Sequence, residues 1–321
     1  MLPEVEAWLD RRTSRAQDWD AGVLAENKRG QRITVVLPAR NESATVGTIV
    51  TDIRTALCER VPLVDEIVVI DSRSTDNTAE VAAQAGATVY HQDAIRPDLP
   101  PGAGKGEALW KSLFVATGDI IVFIDADLLS FTPDYVSGLL GPLITDPEVV
   151  YVKGCYDRPL NGASDGTYNG GRVTELVARP LLNQYWPQLA GFVQPLAGEY
   201  AGRADVLRRV PFVSHYGVEL GLLIDLLETV GLDALAQVDL GVREHTNQST
   251  PDLGVMAAQI QHTARNRLLR SGRLVETVDT STTLVQYVRS DTADGTYLPY
   301  PRETAITERP PADSVTEPVL T

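Results

Sequence analysis

The chain has 321 residues, 43% apolar and 22% charged, which suits one large domain or two small ones. Its 28 basic and 43 acidic side chains leave a net charge of −15, which argues against nucleic-acid binding because that needs a basic face. Two distant cysteines, Cys58 and Cys155, argue against a disulfide framework. Acidic residues stand where a signal peptide needs cations, and no apolar run is long enough to predict a membrane span. We expect a cytoplasmic globular protein.

Apolar runs and helical patterns alternate through the first half of the chain. After about 30 polar residues, in which we expect short surface helices, the predicted strands are 33–37, 66–70, 87–90 and 120–124. Helical spacing of apolar residues predicts helices between them, the last of which ends at Gly118. Alternation of this kind is typical of βαβ units, and strands that are apolar throughout are typical of a sheet covered on both faces. The sequence therefore predicts an α/β fold.

Three polar loops, 38–42, 71–76 and 125–127, follow predicted strands. Ligands of open α/β sheets bind outside the carboxyl ends of the strands, so we expect these loops to share one rim. Asp125 and Asp127 follow the most apolar strand and could share a divalent cation bound to a diphosphate, since hard oxygen ligands suit Mg²⁺ or Mn²⁺. A helix cap beside a solvated acid is the alternative interpretation.

The segment Gly104, Lys105, Gly106 is not a P-loop, because Leu99 occupies the place of the first glycine and Gly106 that of the Ser or Thr. A lysine before a helix N-terminus can still bind phosphate through its charge and the free N–H groups. A loop hinge with a solvated lysine is the other interpretation.

Further candidates lie beyond residue 150. Arg243, His245 and Asn247 alternate, so they point the same way if their segment is extended. This set suits a metal–phosphate site, although a lone histidine is often structural. Residues 170–174 (GGRVT) could bind an anion through backbone N–H groups, the arginine guanidinium and the threonine hydroxyl. The alternative interpretation is an ordinary glycine turn followed by a threonine helix cap.

Two acids, Glu199 and Glu219, lie in apolar surroundings. Each is either an acceptor for a substrate hydroxyl or a buried, paired structural acid.

Together these motifs resemble those of the GT-A glycosyltransferases, and among them the family of the glucosyl-3-phosphoglycerate synthases. The resemblance runs from about residue 33 to 265 and rests on 36–42 (VLPARNE), 71–72 (DS), 104–110 (GKGEALW), 125–127 (DAD), 171–176 (GRVTEL), 194–200 (QPLAGEY), 216–219 (YGVE) and 243–245 (REH). It implies a Rossmann-like, mixed and mainly parallel sheet with helices on both faces. It also implies transfer of glucose from UDP-glucose to the 2-hydroxyl of 3-phosphoglycerate with retention of configuration, a divalent cation and a homodimer.

The same resemblance implies roles for individual residues. The donor would contact Pro38, Ala39, Arg40, Glu42, Ser72, Lys105, Asp125, Ala126 and Leu196. The acceptor would contact Gly171, Arg172, Val173, Thr174 and Asn247. Asp127 and His245 would ligate the metal, with Arg243 beside the diphosphate. The candidate catalytic residues are therefore Asp127, Arg243 and Glu219, the last of these near the sugar. The chain has Arg40 where the family often has an apolar residue.

We expect four segments in the chain. They are surface helices at 1–30, a nucleotide-sugar-binding α/β domain at 31–150, an acceptor-binding region at 151–275 and a poorly packed tail at 276–321. The alternative functions are an inverting GT-A enzyme acting on a polyprenyl phosphate or a polysaccharide, a non-catalytic sugar-nucleotide sensor and a nucleotidyltransferase. The choice between UDP- and GDP-glucose, and between Mg²⁺ and Mn²⁺, stays open.

Overall fold

A computed structural model of the protein describes residues 1–157, 171–243, 249–276, 280–290 and 296–316. An eight-stranded sheet lies at its centre, with helices on both faces. This arrangement confirms the predicted α/β fold. Among the residues described, no helix is both long enough and apolar enough to cross a bilayer.

The strands in chain order are β1 (Thr13–Arg15), β2 (Ile33–Ala39), β3 (Glu66–Asp71), β4 (Thr88–His91), β5 (Ile120–Phe123), β6 (Tyr151–Asp157), β7 (Tyr200–Arg203), β8 (Phe212–Val213), β9 (Leu235–Val242), β10 (Thr283–Arg289), β11 (Tyr297–Glu303) and β12 (Glu308–Arg309). The central sheet has the order β1-β9-β6-β7-β5-β2-β3-β4, and two small sheets pair β10 with β11 and β12 with β8. In the central sheet β7 runs antiparallel to its neighbours β5 and β6, while the other neighbouring strands are parallel. The sheet is therefore mixed and mainly parallel, as expected.

The helices are α1 (Pro3–Arg12), α2 (Ala21–Asn27), α3 (Val46–Ile53), α4 (Thr78–Ala85), α5 (Lys105–Ser112), α6 (Asp134–Thr145), α7 (Arg179–Tyr185), α8 (Ala204–Leu207), α9 (Val218–Val230) and α10 (Thr250–Arg270). A π-helical turn continues α3 through Arg54–Arg60, and another, Thr174–Ala178, leads into α7.

Both faces of the central strands are buried, which explains why they are apolar throughout. In β2, Val36 packs into the core on one side of the sheet, and Val35 and Leu37 pack into the core on the other. Alternate side chains of a strand point to opposite faces, so a strand covered on both sides needs apolar residues at every position. Because β2, β3 and β5 are parallel, their carboxyl ends meet at one edge.

The amino-terminal 30 residues contain two helices, but they are not only a surface layer. Trp8 of α1 is fully buried, and its indole N–H donates to the Leu235 carbonyl over 2.8 Å. β1 adds a parallel edge strand beside β9, with Thr13 opposite Gln237. The description of this segment as surface helices therefore needs correction. Its strand has three polar residues and no apolar pattern that sequence analysis could detect.

The expectation of a poorly packed tail is wrong for residues 304–316. Thr304 and Ala312 are buried, and β12 pairs with β8 in the body of the protein. Just before this stretch, β10 and β11 form a two-stranded ribbon. The contacts of the tail are backbone pairing and ion pairs, which a polar, proline-rich composition does not reveal.

Candidate active site

A cavity of about 470 Å³ opens at the carboxyl ends of β2, β3 and β5. The structure brings together every described candidate site residue at its wall: Pro38, Ala39, Arg40, Glu42, Ser72, Lys105, Asp125, Ala126, Asp127, Gly171, Arg172, Val173, Thr174, Leu196, Glu219 and Arg243. The candidates His245 and Asn247 belong to 244–248, outside the described residues. Their roles remain predictions.

Hydrogen bonds hold the loops at the ends of β2 and β3 against each other. The Asn41 side chain accepts from the Thr75 N–H over 2.8 Å, and the Asn41 N–H donates to Ser74 Oγ over 3.0 Å. Asn41 has a φ of 59°, a conformation that asparagine tolerates better than most residues. The Ser72 N–H donates to the Ala39 carbonyl over 2.8 Å. The two loops thus form one continuous wall.

Lys105, the first residue of α5, projects between two carboxylates. Its Nζ lies 2.5 Å from Asp125 Oδ1 and 3.0 Å from Glu219 Oε1. Burial opposes the positive charge of Lys105, but Asp125 and Glu219 outweigh burial and raise the pKa of the lysine above its usual range. Lys105 is therefore a firmly charged cation and not a solvated hinge lysine.

The guanidinium of Arg243 joins four groups beneath the cavity. Nη2 lies 3.2 Å from Asp125 Oδ2 and 3.1 Å from Asp127 Oδ1, while Nη1 lies 3.0 Å from Glu199 and donates to the Tyr156 hydroxyl over 2.8 Å. Glu199 is fully buried, so it is a paired structural acid. Arg243 orients both carboxylates of the Asp-Ala-Asp motif.

Negative charge accumulates at the mouth of this cluster. Burial, together with Asp125, raises the pKa of Asp127, whose side chain is 53% exposed. Burial, then Asp127, Asp76 and Asp125, raise the pKa of Glu42 to about 7. Burial is the larger cause of both rises, and the rest comes from repulsion between neighbouring carboxylates, which a cation bound among them would relieve.

The oxygen chemistry of this mouth suits a hard divalent cation. Within the described residues, no three His, Cys, Asp or Glu side chains are close enough to hold a metal ion by themselves. Of the carboxylates at the cavity wall, Asp127 has a half-exposed side chain, and a metal held there would take its other ligands from outside the described residues or from a substrate.

The predicted acceptor segment begins at Gly171 and leads into a helical turn. Val173 and Thr174 are buried, while Arg172 is exposed and donates to the Thr250 hydroxyl of α10 over 3.3 Å. Three apolar residues of α10, Leu253, Met256 and Ile260, line the same part of the cavity. Sequence analysis missed them, although their spacing of three and four residues is helical and could have revealed them.

A further residue that the sequence did not single out lies beneath the site. Lys153 of β6 is 1% exposed, and its Nζ stands 4.6 Å above the ring of Tyr200. Burial lowers the pKa of Lys153 to about 7, against the opposing effect of Glu219. No hydrogen-bond partner for Lys153 Nζ is found among the described residues, so its contact with the Tyr200 ring and its lowered pKa account for a lysine at this buried position.

Comparisons with known proteins agree with this geometry. The sequence pattern described as Glycosyl transferase family 2 matches residues 34–195. The glucosyl-3-phosphoglycerate synthase of Mycolicibacterium smegmatis is 45% identical over 307 residues, which cover 95% of this chain and 96% of the relative. A crystal structure of mannosyl-3-phosphoglycerate synthase from Rubrobacter xylanophilus superposes with a TM-score of 0.88, 39% identity, and coverage of 97% of this chain and 98% of the other.

A third relative has been solved with ligands. The glucosyl-3-phosphoglycerate synthase of Mycobacterium tuberculosis in complex with Mn²⁺, UDP-glucose and phosphoglyceric acid superposes with a TM-score of 0.77 and 42% identity, covering 92% of this chain and 95% of that one. The same enzyme has also been solved with Mg²⁺ and UDP. The chain therefore has the GT-A fold and belongs to glycosyl transferase family 2, within the family of the glucosyl-3-phosphoglycerate synthases.

Proposed function

We propose that this protein transfers glucose from UDP-glucose to the 2-hydroxyl of 3-phosphoglycerate, with retention of the anomeric configuration. The observation that carries the proposal is the connected array of Lys105, Asp125, Asp127 and Arg243 in one cavity. A relative 42% identical binds UDP-glucose, phosphoglyceric acid and Mn²⁺ together. In this proposal the donor contacts residues that are parts of the same wall: Pro38, Ala39, Arg40, Glu42, Ser72, Lys105, Asp125, Ala126 and Leu196.

The divalent cation, Mg²⁺ or Mn²⁺, would be held by Asp127 with His245. When bound, it neutralises negative charge on the departing diphosphate. Arg243 keeps the Asp127 carboxylate turned towards the cavity, and Lys105 presents a second positive charge close to the same place. The net charge of −15 is thus compatible with two anionic substrates, because the cations are concentrated at the site.

Glu219 would stabilise the positive charge that develops on the sugar. Lys105, 3.0 Å away, keeps its carboxylate in place. The bond from the anomeric carbon to the diphosphate oxygen breaks, and a bond to the 2-oxygen of phosphoglycerate forms on the same face. The proton of the acceptor hydroxyl passes to the leaving diphosphate, so no covalent intermediate with the protein is required.

The acceptor phosphate would bind at 171–174, together with Asn247. Arg172 supplies a guanidinium there, and the turn that begins at Gly171 supplies backbone N–H groups. Leu253, Met256 and Ile260 of α10 line the same cavity and would contact the apolar parts of the substrates.

Product analysis tests the proposal. UDP-glucose and 3-phosphoglycerate are incubated with the protein and Mn²⁺, with and without chelator, and the product is analysed by mass spectrometry and NMR. We expect an α-linked glucosyl-3-phosphoglycerate, formed only with the metal. A β-linked product would indicate an inverting enzyme, and equal turnover of unphosphorylated glycerate would refute the phosphate site. GDP-glucose and GDP-mannose in parallel reactions define donor choice, because one structural relative is a mannosyl-3-phosphoglycerate synthase.

We propose in addition that the protein is a homodimer that associates through the β10–β11 ribbon. A two-stranded ribbon is marginally stable alone, yet this one exposes large apolar and aromatic side chains: Val285, Tyr287, Val288, Tyr297, Leu298 and Tyr300. A surface of this kind favours burial against a second copy. Light scattering should give a dimer for the wild type and a monomer for Tyr287→Ser with Leu298→Ser. A wild-type monomer would refute the proposal. A cytoplasmic location stays a prediction from composition.

A further inference from the structure

The final part of the last described segment, residues 304–316, contacts both elements that carry the paired charges of the site. We call it the C-terminal strap. One of these elements is α5, which begins at Lys105, and the other is the β8–α9 connection, which leads to Glu219. Sequence analysis assigned no function to the strap.

Arg309 attaches the strap to α5. Its Nε and Nη2 donate to the two carboxylate oxygens of Glu107 over 2.6 and 2.8 Å, and Nη2 also donates to the Pro100 carbonyl over 2.5 Å. Glu107 is 2% exposed. The guanidinium lies 5.0 Å from the ring of Trp110, whose indole N–H donates to the Pro310 carbonyl over 2.8 Å. Arg309 thus fixes both the first turn of α5 and the loop before it.

The neighbouring residues attach the strap to the elements around Glu219. Glu308 pairs with Arg267 and Arg270 of α10, and both of these arginines pair with Asp225 of α9. The Ser214 N–H donates to the Thr307 carbonyl over 2.8 Å, and the Thr307 N–H donates to Ser214 Oγ over 2.8 Å. Consecutive residues of the strap therefore reach α5 on one side and the α9–α10 pair on the other.

The start of α5 also packs tightly against β8 and the residues that follow it. A Cβ atom on Gly106 would lie 1.8 Å from the Val213 carbonyl oxygen, and one on Gly104 would lie 2.5 Å from His215 Nδ1. Because the strap bonds to α5 through Arg309 and to β8 through its backbone, a displacement of the strap would act on both sides of this tight contact and so on the distance between the Lys105 ammonium and the Glu219 carboxylate.

From these contacts we infer that Arg309 is a positioning residue, and that through Glu107 it sets Lys105 in place for the diphosphate of the donor. The inference rests on the proposed function for the identity of the donor. The strap acts at a distance, since Arg309 itself is not part of the cavity wall that the structure describes. Displacements of about 1 Å in a positioned group can cost as much as about 100-fold in rate.

Binding of UDP in the presence of Mn²⁺, measured by calorimetry, tests the inference without turnover. Arg309→Met is combined with Glu107→Gln, so that no buried charge is left unpaired. The matched control is Arg273→Met combined with Glu228→Gln. Arg273 pairs with Glu228, donates to the Tyr185 carbonyl and lies 4.9 Å from the ring of Trp186, remote from the cavity wall. We expect Tm to fall in both, and by less in the control because its ion pair is more exposed, while the UDP dissociation constant rises by about tenfold or more in the strap variant alone.

Equal dissociation constants in the strap variant, the control and the wild type would overturn the inference. If the methionine variants do not fold, Arg309→Lys and Arg273→Lys give the same comparison. Lysine keeps the positive charge but lacks the planar guanidinium that donates two parallel hydrogen bonds to a carboxylate. The first should weaken UDP binding by about threefold, and the second should leave it unchanged. A wild type that binds UDP and makes no product would refute the proposed function and leave the strap inference standing on binding alone.

Discussion

The Lys105 ammonium and the Glu219 carboxylate lie 3.0 Å apart, although one begins α5 and the other lies in the first turn of α9. The same ammonium contacts Asp125, so its positive charge is shared between two acids before any donor binds. A diphosphate entering the cavity therefore meets a lysine that is already partly neutralised. This sharing explains why the proposed mechanism needs a divalent cation as well.

Asp127→Asn should reduce kcat with Mn²⁺ by about 100-fold or more, because one charged ligand that stabilises the leaving diphosphate is removed. The fold should survive, since the Asp127 side chain is half-exposed and Asp125 repels its charge. Steady-state kinetics and thermal unfolding check both parts. Asp134→Asn, at an exposed acid of α6, is the control. Unchanged turnover would remove Asp127 from the mechanism.

Arg243→Met should lower the free energy of unfolding by about 3–5 kcal/mol, because the fully buried Glu199 loses its ion-pair partner. Urea denaturation measures the change. Adding Glu199→Gln should restore part of the stability, since the amide carries no charge to bury. A single variant as stable as the wild type would contradict the view that this pair is buried and coupled.

Lys153→Met should change how stability depends on pH. The pKa of Lys153 is lowered from 10.5 to about 7 in the folded protein, so between these values the unfolded chain holds a proton that the folded protein has released. The Lys153 contribution therefore makes stability rise with pH across this window, and below about pH 7 the cost of burying the charge is fully present.

Urea denaturation at intervals from pH 7 to 9.5 should show this rise in the wild type and a flatter profile in Lys153→Met. Lys28→Met, which removes a lysine paired with Asp65 near the surface, is the control. Parallel profiles for the wild type and Lys153→Met would contradict the prediction.

Gly106→Ala should weaken UDP binding and lower Tm together. Its Cβ would stand 1.8 Å from the Val213 carbonyl oxygen, so the start of α5 must move, and Lys105 moves with it. We expect a rise of about tenfold in the KM for UDP-glucose. Gly22→Ala in α2, where the nearest atom is a flexible carboxylate oxygen of Asp20 at 3.1 Å, should have little effect. An unchanged KM in Gly106→Ala would show that the packing can relax.

The sequence predicted the central strands and the rim because both depend on local patterns. An apolar run followed directly by Asp125 and Asp127 predicts two acids at the end of a strand, whatever structure the rest of the chain has. Gly104 and Gly106, on either side of Lys105, do not belong to a P-loop. Close packing explains them, because Gly106 approaches Val213 and Gly104 approaches His215.

Contacts between distant segments could not be predicted from the sequence. The pairing of Glu107 with Arg309 joins residues whose neighbours give no shared pattern, so the tail was expected to be loose. Lys153 follows the same rule, because its contact with the ring of Tyr200, a residue of another strand, does not show in the sequence of β6. The apolar residues of α10 are a different case, because the helical spacing of Leu253, Met256 and Ile260 is a local pattern that the sequence does show.

The short strand β1 has a consequence for any shortened form of the protein. It covers the outer side of β9 through parallel pairing of residues 13–15 with 237–239. Removal of the first fifteen residues would leave those backbone donors and acceptors open, and such open edges template pairing with other chains. Amino-terminal truncation should therefore make the protein insoluble before it abolishes catalytic activity.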